Sequence, residues 1–208
     1  MSCDRIRAML SNLALELTTF FEKSHTLLVP WSFGIGGLWL FNIVNWISGS
    51  HLNHLGIVPR RLSGLMGVLF CPLLHQNFNH LFFNSIPLFV LGLMLLASGT
   101  EVFFWATGSI TLLGGLLVWL LGRRANHIGA SGLISGYFGF IIVMAYFNPS
   151  AVTLILAGIV LYYFGGIFLG IFPQEAKVSW ESHLYGFLSG LLSAWLPHYL
   201  HWDQLLPQ

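Results

Sequence analysis

Charged residues are scarce in this sequence. Only 7% of its 208 residues are Asp, Glu, Lys or Arg, against roughly a quarter in soluble globular proteins. Eight Lys or Arg residues balance seven Asp or Glu, which leaves neither the basic field of a nucleic-acid binder nor an acidic tail. With 56% hydrophobic residues, the chain is expected to lie in a lipid bilayer and to have no nucleic-acid partner.

Aspartate and cysteine are almost missing. Asp4 and Asp203 are the only aspartates, and both lie outside the long apolar segments, which excludes a paired-aspartate intramembrane protease and disfavours a carboxylate triad. Cys3 and Cys71 form no CxxC motif and are predicted to be free thiols. No HExxH occurs, and the histidine pair of residues 51–54 lacks nearby carboxylates, so neither a metal site nor a cofactor is expected.

What the sequence does contain is apolar segments long enough to cross a membrane. A spanning helix needs about 20 apolar residues, and six stretches qualify: about 27–48, 79–97, 102–121, 131–148, 150–171 and 181–200. Most tryptophans fall near the predicted span ends, where an amphipathic ring suits the headgroup region. The sequence therefore predicts an all-α membrane protein, a six-transmembrane-helix bundle that fills residues 27–200.

The segments outside the six spans complete the predicted organisation. Residues 1–26 are expected to form an amphipathic segment that lies on the membrane surface or packs against the bundle. Because charged residues interrupt any early apolar run, no signal peptide is predicted. Residues 48–76 form a long first loop whose apolar piece, residues 65–74, is too short to span and is expected to be partly buried. Residues 201–208 are a short C-terminal tail.

Helix direction brings the notable polar residues to one face. If six helices alternate, the second, fourth and sixth begin on the same side of the membrane. The polar residues that need explanation all sit at those three beginnings: His75, Gln76, Asn77, Asn79, His80, Asn84, Ser131 and His183. One polar pocket, open to one side, would collect them.

Ser131 is the candidate nucleophile of this pocket. The turn Gly129-Ala130-Ser131-Gly132 leads into the fourth helix, so the serine stands where free backbone N–H groups and the helix dipole favour negative charge. The two glycines remove side chains that would block a substrate backbone. Serine needs a base, and His183 begins the sixth helix on the same face. The alternative interpretation is that Ser131 is only a helix cap.

Small residues predict how these two helices meet. Gly132, Gly136 and Gly139 line one face of the fourth helix, and residues 186, 189, 190 and 193, all Gly or Ser, line one face of the sixth. Such faces let membrane helices approach closely. The spacing is also common in ordinary helix packing, so it does not by itself indicate catalysis.

His80 and Asn84 are candidate oxyanion donors. Their i, i+4 spacing places both on one face of the second helix, and each can donate a hydrogen bond to an oxygen that becomes negative. The backbone N–H of Ser131 would be a third donor. The alternative is that these polar side chains only hold helices together.

With these residues, the chain resembles the rhomboid family of intramembrane serine proteases over about residues 27–200. The matching motifs are the GxSG turn at residues 129–132, the HxxxN pair His80 and Asn84, and His183 followed by Gly186 and Gly190. The resemblance implies that Ser131 is the nucleophile and His183 the general base and acid, and that the oxyanion site includes His80, Asn84 and the turn Gly129, Ala130 and Gly132. It implies that the substrates are transmembrane proteins.

Other functions and the membrane orientation stay open at this point. A catalytically silent rhomboid-like protein that binds transmembrane segments is the main alternative; a transporter would show repeated interrupted helices, and a histidine-ligated haem protein would leave the serine turn unexplained. Five basic residues on the reactive face against three on the other favour a cytoplasmic site. The family resemblance implies the opposite, a bacterial inner membrane protein with its site facing outward, which we adopt as the expectation. The oligomeric state is not predicted.

Overall fold

The chain folds as a bundle of α-helices. The computed structural model describes residues 3–166, 172 and 179–200, with side chains from residue 5 onward. Seven α-helices lie in these residues: α1 Cys3–Ile47, α2 Gly67–Phe70, α3 Phe78–Ser98, α4 Thr100–Leu121, α5 Ser131–Phe147, α6 Ala151–Phe164 and α7 Trp180–Tyr199. The protein is thus an all-α membrane bundle, as the sequence predicts.

Each of the six predicted apolar stretches corresponds to one long helix. Three are long and apolar enough, by length and composition, to cross a membrane: Arg5–Ile47, Phe78–Ser98 and Thr100–Leu121. Helices α5 and α6 are apolar but shorter. Helix α1 continues without interruption through residue 26, so the predicted boundary between an N-terminal segment and the bundle falls inside one helix.

Local sequence sets the helix ends. Asn77 caps α3 by accepting the backbone N–H of His80, and Ser150 and Thr153 form a reciprocal capping box at α6. Gly99, with φ 154°, separates α3 from α4, and Gly122 ends α4. These signals keep the α3–α4 and α5–α6 connections short.

Helix α5 is the centre of the bundle. It packs against α3, α4, α6 and α7, and the side chains of Ile134, Tyr137, Phe138, Phe140 and Ile141 are buried. The Tyr137 hydroxyl lies 2.6 Å from Thr107 Oγ1 on α4, which satisfies the one polar group of that ring inside the core. Ser131 therefore starts the helix with the most buried environment.

The first loop is partly buried and docked on the rest of the protein. Its predicted apolar piece forms short helical turns in which Val68 and Leu74 are buried, whereas Met66 and Leu69 are exposed. Asn42 of α1, itself buried, accepts the backbone N–H of His75 and donates to the Leu73 carbonyl. The end of the loop is thereby fixed to α1.

Some predicted features lie outside the described residues. They are the end of the fifth predicted span at residues 167–171, the Cys3 side chain, Lys177 and the C-terminal tail 201–208. Cys71 is described and is a free thiol.

Candidate active site

Ser131 opens α5 directly after a turn that requires glycine. Gly129 has φ +118°, a conformation that side chains rarely allow, and its N–H donates to the Cys71 carbonyl at 2.9 Å. Ser131 is half-buried, so its hydroxyl is neither sealed in the core nor on an open surface. As the first residue of the helix, it has a backbone N–H with no partner inside the helix.

The first loop also holds the rest of this turn. Ile57 and His127 exchange both backbone hydrogen bonds at 2.9 Å. Asn126 Nδ2 donates to the Asn53 carbonyl at 2.7 Å. The turn that leads into Ser131 therefore has its backbone fixed on one side by the first loop.

Backbone contact brings the beginning of α7 to Ser131. A Cβ on Gly132 would lie 3.0 Å from the Ser182 carbonyl oxygen, and one on Gly186 would lie 2.0 Å from the Gly132 carbonyl oxygen. One turn further, a Cβ on Gly190 would lie 2.0 Å from the Gly136 carbonyl oxygen. The predicted glycine faces are confirmed, and they place the half-buried His183, next to Ser182, beside the start of α5.

His80 and Asn84 approach the same turn from α3. A Cβ on Gly129 would lie 2.6 Å from His80 Nε2 and 3.5 Å from Asn84 Nδ2. The Gln76 N–H lies 3.5 Å from His80 Nδ1, a long contact in which Nδ1 is the acceptor and which favours the ring proton on Nε2. Asn84 Nδ2 is buried, with no hydrogen-bond partner among the described residues. Two N–H donors of α3 therefore lie beside the turn before Ser131.

His75 lies behind these donors. Its side chain is fully buried, its ring stacks edge-on against His80 at 5.0 Å, and its Nε2 accepts the Ala130 N–H at 3.4 Å. Burial, and secondarily the neighbouring His80, lower the pKa of His75 to about 3. A neutral His75 keeps the acceptor for the Ala130 N–H and so supports the turn.

A group of polar residues that the sequence motifs do not indicate lies between the turn and α7. Glu181 is buried, and its Oε1 lies 3.3 Å from Arg123 Nε. His127, also buried, contacts the Ser179 hydroxyl through Nδ1. The scarcity of aspartate does not exclude a buried carboxylate in this region, because Glu181 stands two positions before His183 in the sequence.

Metal binding finds no support in the described part of the chain. No group of three or more His, Cys, Asp or Glu side chains in residues 5–166 and 179–200 is arranged to hold a metal ion. The histidines around the site, His75, His80 and His127, make ring contacts or hydrogen bonds with protein groups instead. Their arrangement suits hydrogen bonding to the turn and to α7.

Fold and site together define a membrane-embedded helical bundle with a serine and a histidine at two adjoining helix beginnings. The chain belongs to the rhomboid family: the rhomboid domain matches residues 63–200. Rhomboid proteins are in general intramembrane serine proteases that act on membrane proteins within the bilayer.

Relatives of this chain occur in mycobacteria. Uncharacterized proteins of Mycobacterium bovis and Mycobacterium tuberculosis are 42% identical over 168 residues, which cover 76% of this chain and 70% of each relative. An uncharacterized protein of Mycobacterium leprae is 35% identical over 168 residues, which cover 76% of this chain and 66% of the relative.

Proposed function

We propose that this protein is an active intramembrane serine endopeptidase with a Ser131–His183 dyad. The observation that carries the proposal is the convergence of three helix beginnings: His80 and Asn84 of α3 reach Gly129, and Gly132 of α5 contacts Ser182 of α7. A nucleophile, a base and oxyanion donors then share one half-buried position. Simple helix packing does not require two side-chain donors to point to the turn before a helix-starting serine.

The proposed reaction is acyl transfer in two halves. Ser131 Oγ attacks the scissile carbonyl carbon while His183 takes the hydroxyl proton, and the carbonyl oxygen becomes negative. His183 returns the proton to the leaving amine as the C–N bond breaks, which leaves an ester on Ser131. Water then attacks this ester with His183 again as base, which frees the new carboxyl end and the serine.

The developing oxyanion is stabilised by donors that are already in place. His80 Nε2–H, Asn84 Nδ2–H and the Ser131 backbone N–H donate to it. Donors fixed before the reaction need no reorganisation, and in a site shielded from water each is worth more than in bulk solvent. The oriented His80 tautomer and the buried Asn84 amide are this kind of donor.

The proposed substrates are transmembrane segments of other membrane proteins. A helical segment hides its carbonyl groups in its own hydrogen bonds, so it must unwind locally before Ser131 reaches one; small or helix-breaking residues near the scissile bond lower that cost. We place the protein in a bacterial inner membrane with the site facing outward. Protease protection of a tag at either chain end in oriented vesicles tests this orientation.

Ser131→Ala and His183→Ala test the dyad. Purified native protein is expected to cut a model transmembrane substrate, and both variants are expected to lose cleavage. Ser32→Ala and His25→Ala are matched controls, because both residues are exposed on α1. Cleavage by either dyad variant at the native rate contradicts the proposal, and so does native protein that folds but never cuts, which is the expectation for a silent relative.

A fluorophosphonate identifies the nucleophile independently of any peptide substrate. We expect covalent labelling of the native protein at Ser131, detected by mass spectrometry of the digested protein, and none in Ser131→Ala. Modification at another serine would show that the nucleophile was assigned wrongly.

His80→Ala and Asn84→Ala test the oxyanion donors. Removal of one such donor lowers kcat by about 10² to 10³ in comparable sites, and we expect a loss of that size with little change in KM. Asn79→Ala is the matched control: the sequence predicts Asn79 for the polar pocket, but its side chain is exposed on the same helix. A native kcat in both test variants would reduce these residues to a structural role.

A further inference from the structure

Two polar links join the turn before α5 to the beginning of α7. Arg123 approaches Glu181 Oε1 with its Nε at 3.3 Å and its backbone N–H at 3.4 Å. His127 Nδ1 contacts the Ser179 hydroxyl, which lies 2.7 Å from the Ser182 hydroxyl. We name these five residues the polar clamp.

The clamp connects the two chain segments that carry the proposed dyad. Arg123 and His127 precede Ser131 by eight and four residues, and Glu181 precedes His183 by two. The Glu181 side chain is 4% exposed and His127 is 2% exposed. The Arg123 side chain is 36% exposed, so solvent reaches one end of the charged link. Because Glu181 and His127 are buried, the hydrogen bonds at their end of each link are little screened and hold a defined geometry.

Glycine contact alone does not fix how far α7 is shifted along α5. Gly132, Gly136, Gly186 and Gly190 let the backbones touch, but they present no side chains that interlock along the helix axis. A shift by one residue moves a helix about 1.5 Å along its axis. A serine and its base need a separation of about 2.6–3.2 Å, so such a shift would separate them.

We infer that the polar clamp fixes the position of α7 along α5 and thereby holds His183 at Ser131, with Glu181 as its main positioning residue. This inference rests on the proposed dyad. Glu181 acts through the helix backbone and not as a third catalytic carboxylate, because two residues along a helix rotate a side chain by about 200°. Its Oε1 is, in addition, already engaged by Arg123.

Glu181→Gln tests the charged link, because the amide keeps the shape of the side chain and removes its charge. We expect the labelling rate of Ser131 by a fluorophosphonate and kcat to fall about 10- to 100-fold, the scale of a misplacement near 1 Å. KM is expected to stay near its native value, because the substrate still binds. Assays run well below the Tm of each variant and are referred to folded protein.

Neighbouring residues supply matched controls. Arg123→Gln is expected to reproduce the loss, whereas Arg124→Gln, an exposed arginine at the next position, is expected to keep the native rate. Glu101→Gln, an exposed glutamate in the first turn of α4, is the control for Glu181. Arg123→Lys retains a cation and is expected to recover part of the rate that Arg123→Gln loses.

Ser179→Ala tests the neutral link and also serves if Glu181→Gln does not fold. It removes one hydroxyl, and we expect a smaller but measurable loss of labelling rate and kcat. Folded Glu181→Gln or Ser179→Ala that labels at the native rate overturns the role of the corresponding link. A loss explained entirely by a smaller folded fraction overturns the positioning role. If native protein is not labelled at Ser131, the proposed function fails instead, and the two failures are distinct.

Discussion

Two helix pairs in this bundle pack in opposite ways. Helices α5 and α7 touch backbone to backbone, since a Cβ on Gly186 or Gly190 would lie 2.0 Å from a carbonyl oxygen of α5. Helices α1 and α3 are held apart by indole rings. Trp31 Nε1 donates to the Phe89 carbonyl at 2.9 Å, and Trp39 Nε1 donates to Ser85 Oγ at 3.0 Å.

The α1–α3 pair leaves an open groove between its side chains. The groove is apolar and is lined by Ile35, Trp39, Phe82, Ser85, Ile86, Phe89 and Val90. Backbone contact at the glycines fixes the distance between the axes of α5 and α7, because no side-chain atoms lie there to adjust, and leaves the position along the axis to the polar clamp. The distance between α1 and α3 is set by side chains, which can change rotamer. The comparison indicates that backbone contact occurs in the α5–α7 pair, where the proposed chemistry needs Ser131 and His183 at a defined distance. Side-chain packing occurs in the α1–α3 pair, which contributes mainly to stability.

Gly186→Ala tests the backbone contact between α5 and α7 and has the largest expected effect. The added methyl group meets the Gly132 carbonyl oxygen and must separate α7 from α5. We expect kcat and Ser131 labelling to fall by about 10² or more, because displacement of the base by 1 Å costs that much. Gly158→Ala is the control, since a Cβ there meets nothing within 4 Å. Native labelling in Gly186→Ala would show that the close contact is dispensable.

Trp31→Ala disturbs the other helix pair and is expected to affect stability more than chemistry. It removes an indole that donates to Phe89, packs against Gly92 and meets the Phe103 ring at 5.4 Å. We expect a loss of about 3 kcal/mol in the free energy of unfolding, measured by denaturation in detergent, with labelling per folded molecule close to native. Phe33→Ala, at a position that is 77% exposed, is the control. If folded Trp31→Ala protein were no longer labelled at Ser131, the α1–α3 pair would matter for the chemistry as much as the α5–α7 pair does.

Acidification is expected to have the smallest effect, and it acts on His75, which connects the two helix pairs. His75 joins the two regions: Asn42 and Trp46 of α1 bind its backbone, and its ring accepts the Ala130 N–H before α5. Burial lowers the pKa of His75 from 6.5 to about 3, so between these pH values the unfolded chain binds a proton at His75 and the native protein does not. The free energy of unfolding is therefore unaffected by this group above pH 6.5 and decreases as the pH falls from 6.5 towards 3.

The His75→Gln variant isolates that contribution. We expect the Tm of the native protein to fall by several degrees more between pH 7 and pH 5 than the Tm of the variant, which keeps an acceptor but has no titrating group. Thermal unfolding at the two pH values in one detergent measures the difference. Equal decreases in both proteins would contradict the role given to His75.

Much of the fold and part of the site follow from local sequence. Apolar runs indicate the six long helices, and the glycine faces of α5 and α7 correctly indicate where those helices touch. Their position near span ends predicts that the tryptophans are headgroup anchors, yet Trp31, Trp39 and Trp46 donate hydrogen bonds to α3 and the first loop. An indole near a span end suits both roles, and only the neighbouring helix decides between them.

By itself, the sequence determined that the chain is a helical membrane protein and which serine and histidine begin two of its helices, because hydrophobic periodicity and helix-start signals are local properties. The tertiary structure decided which polar side chains surround this serine and this histidine. The Arg123–Glu181 pair spans 58 residues, and His75 lies 55 residues before its partner Ala130. A charged or polar side chain gives no indication in sequence of whether it will face solvent or a partner. That depends on which distant backbone the packed helices bring within hydrogen-bond distance.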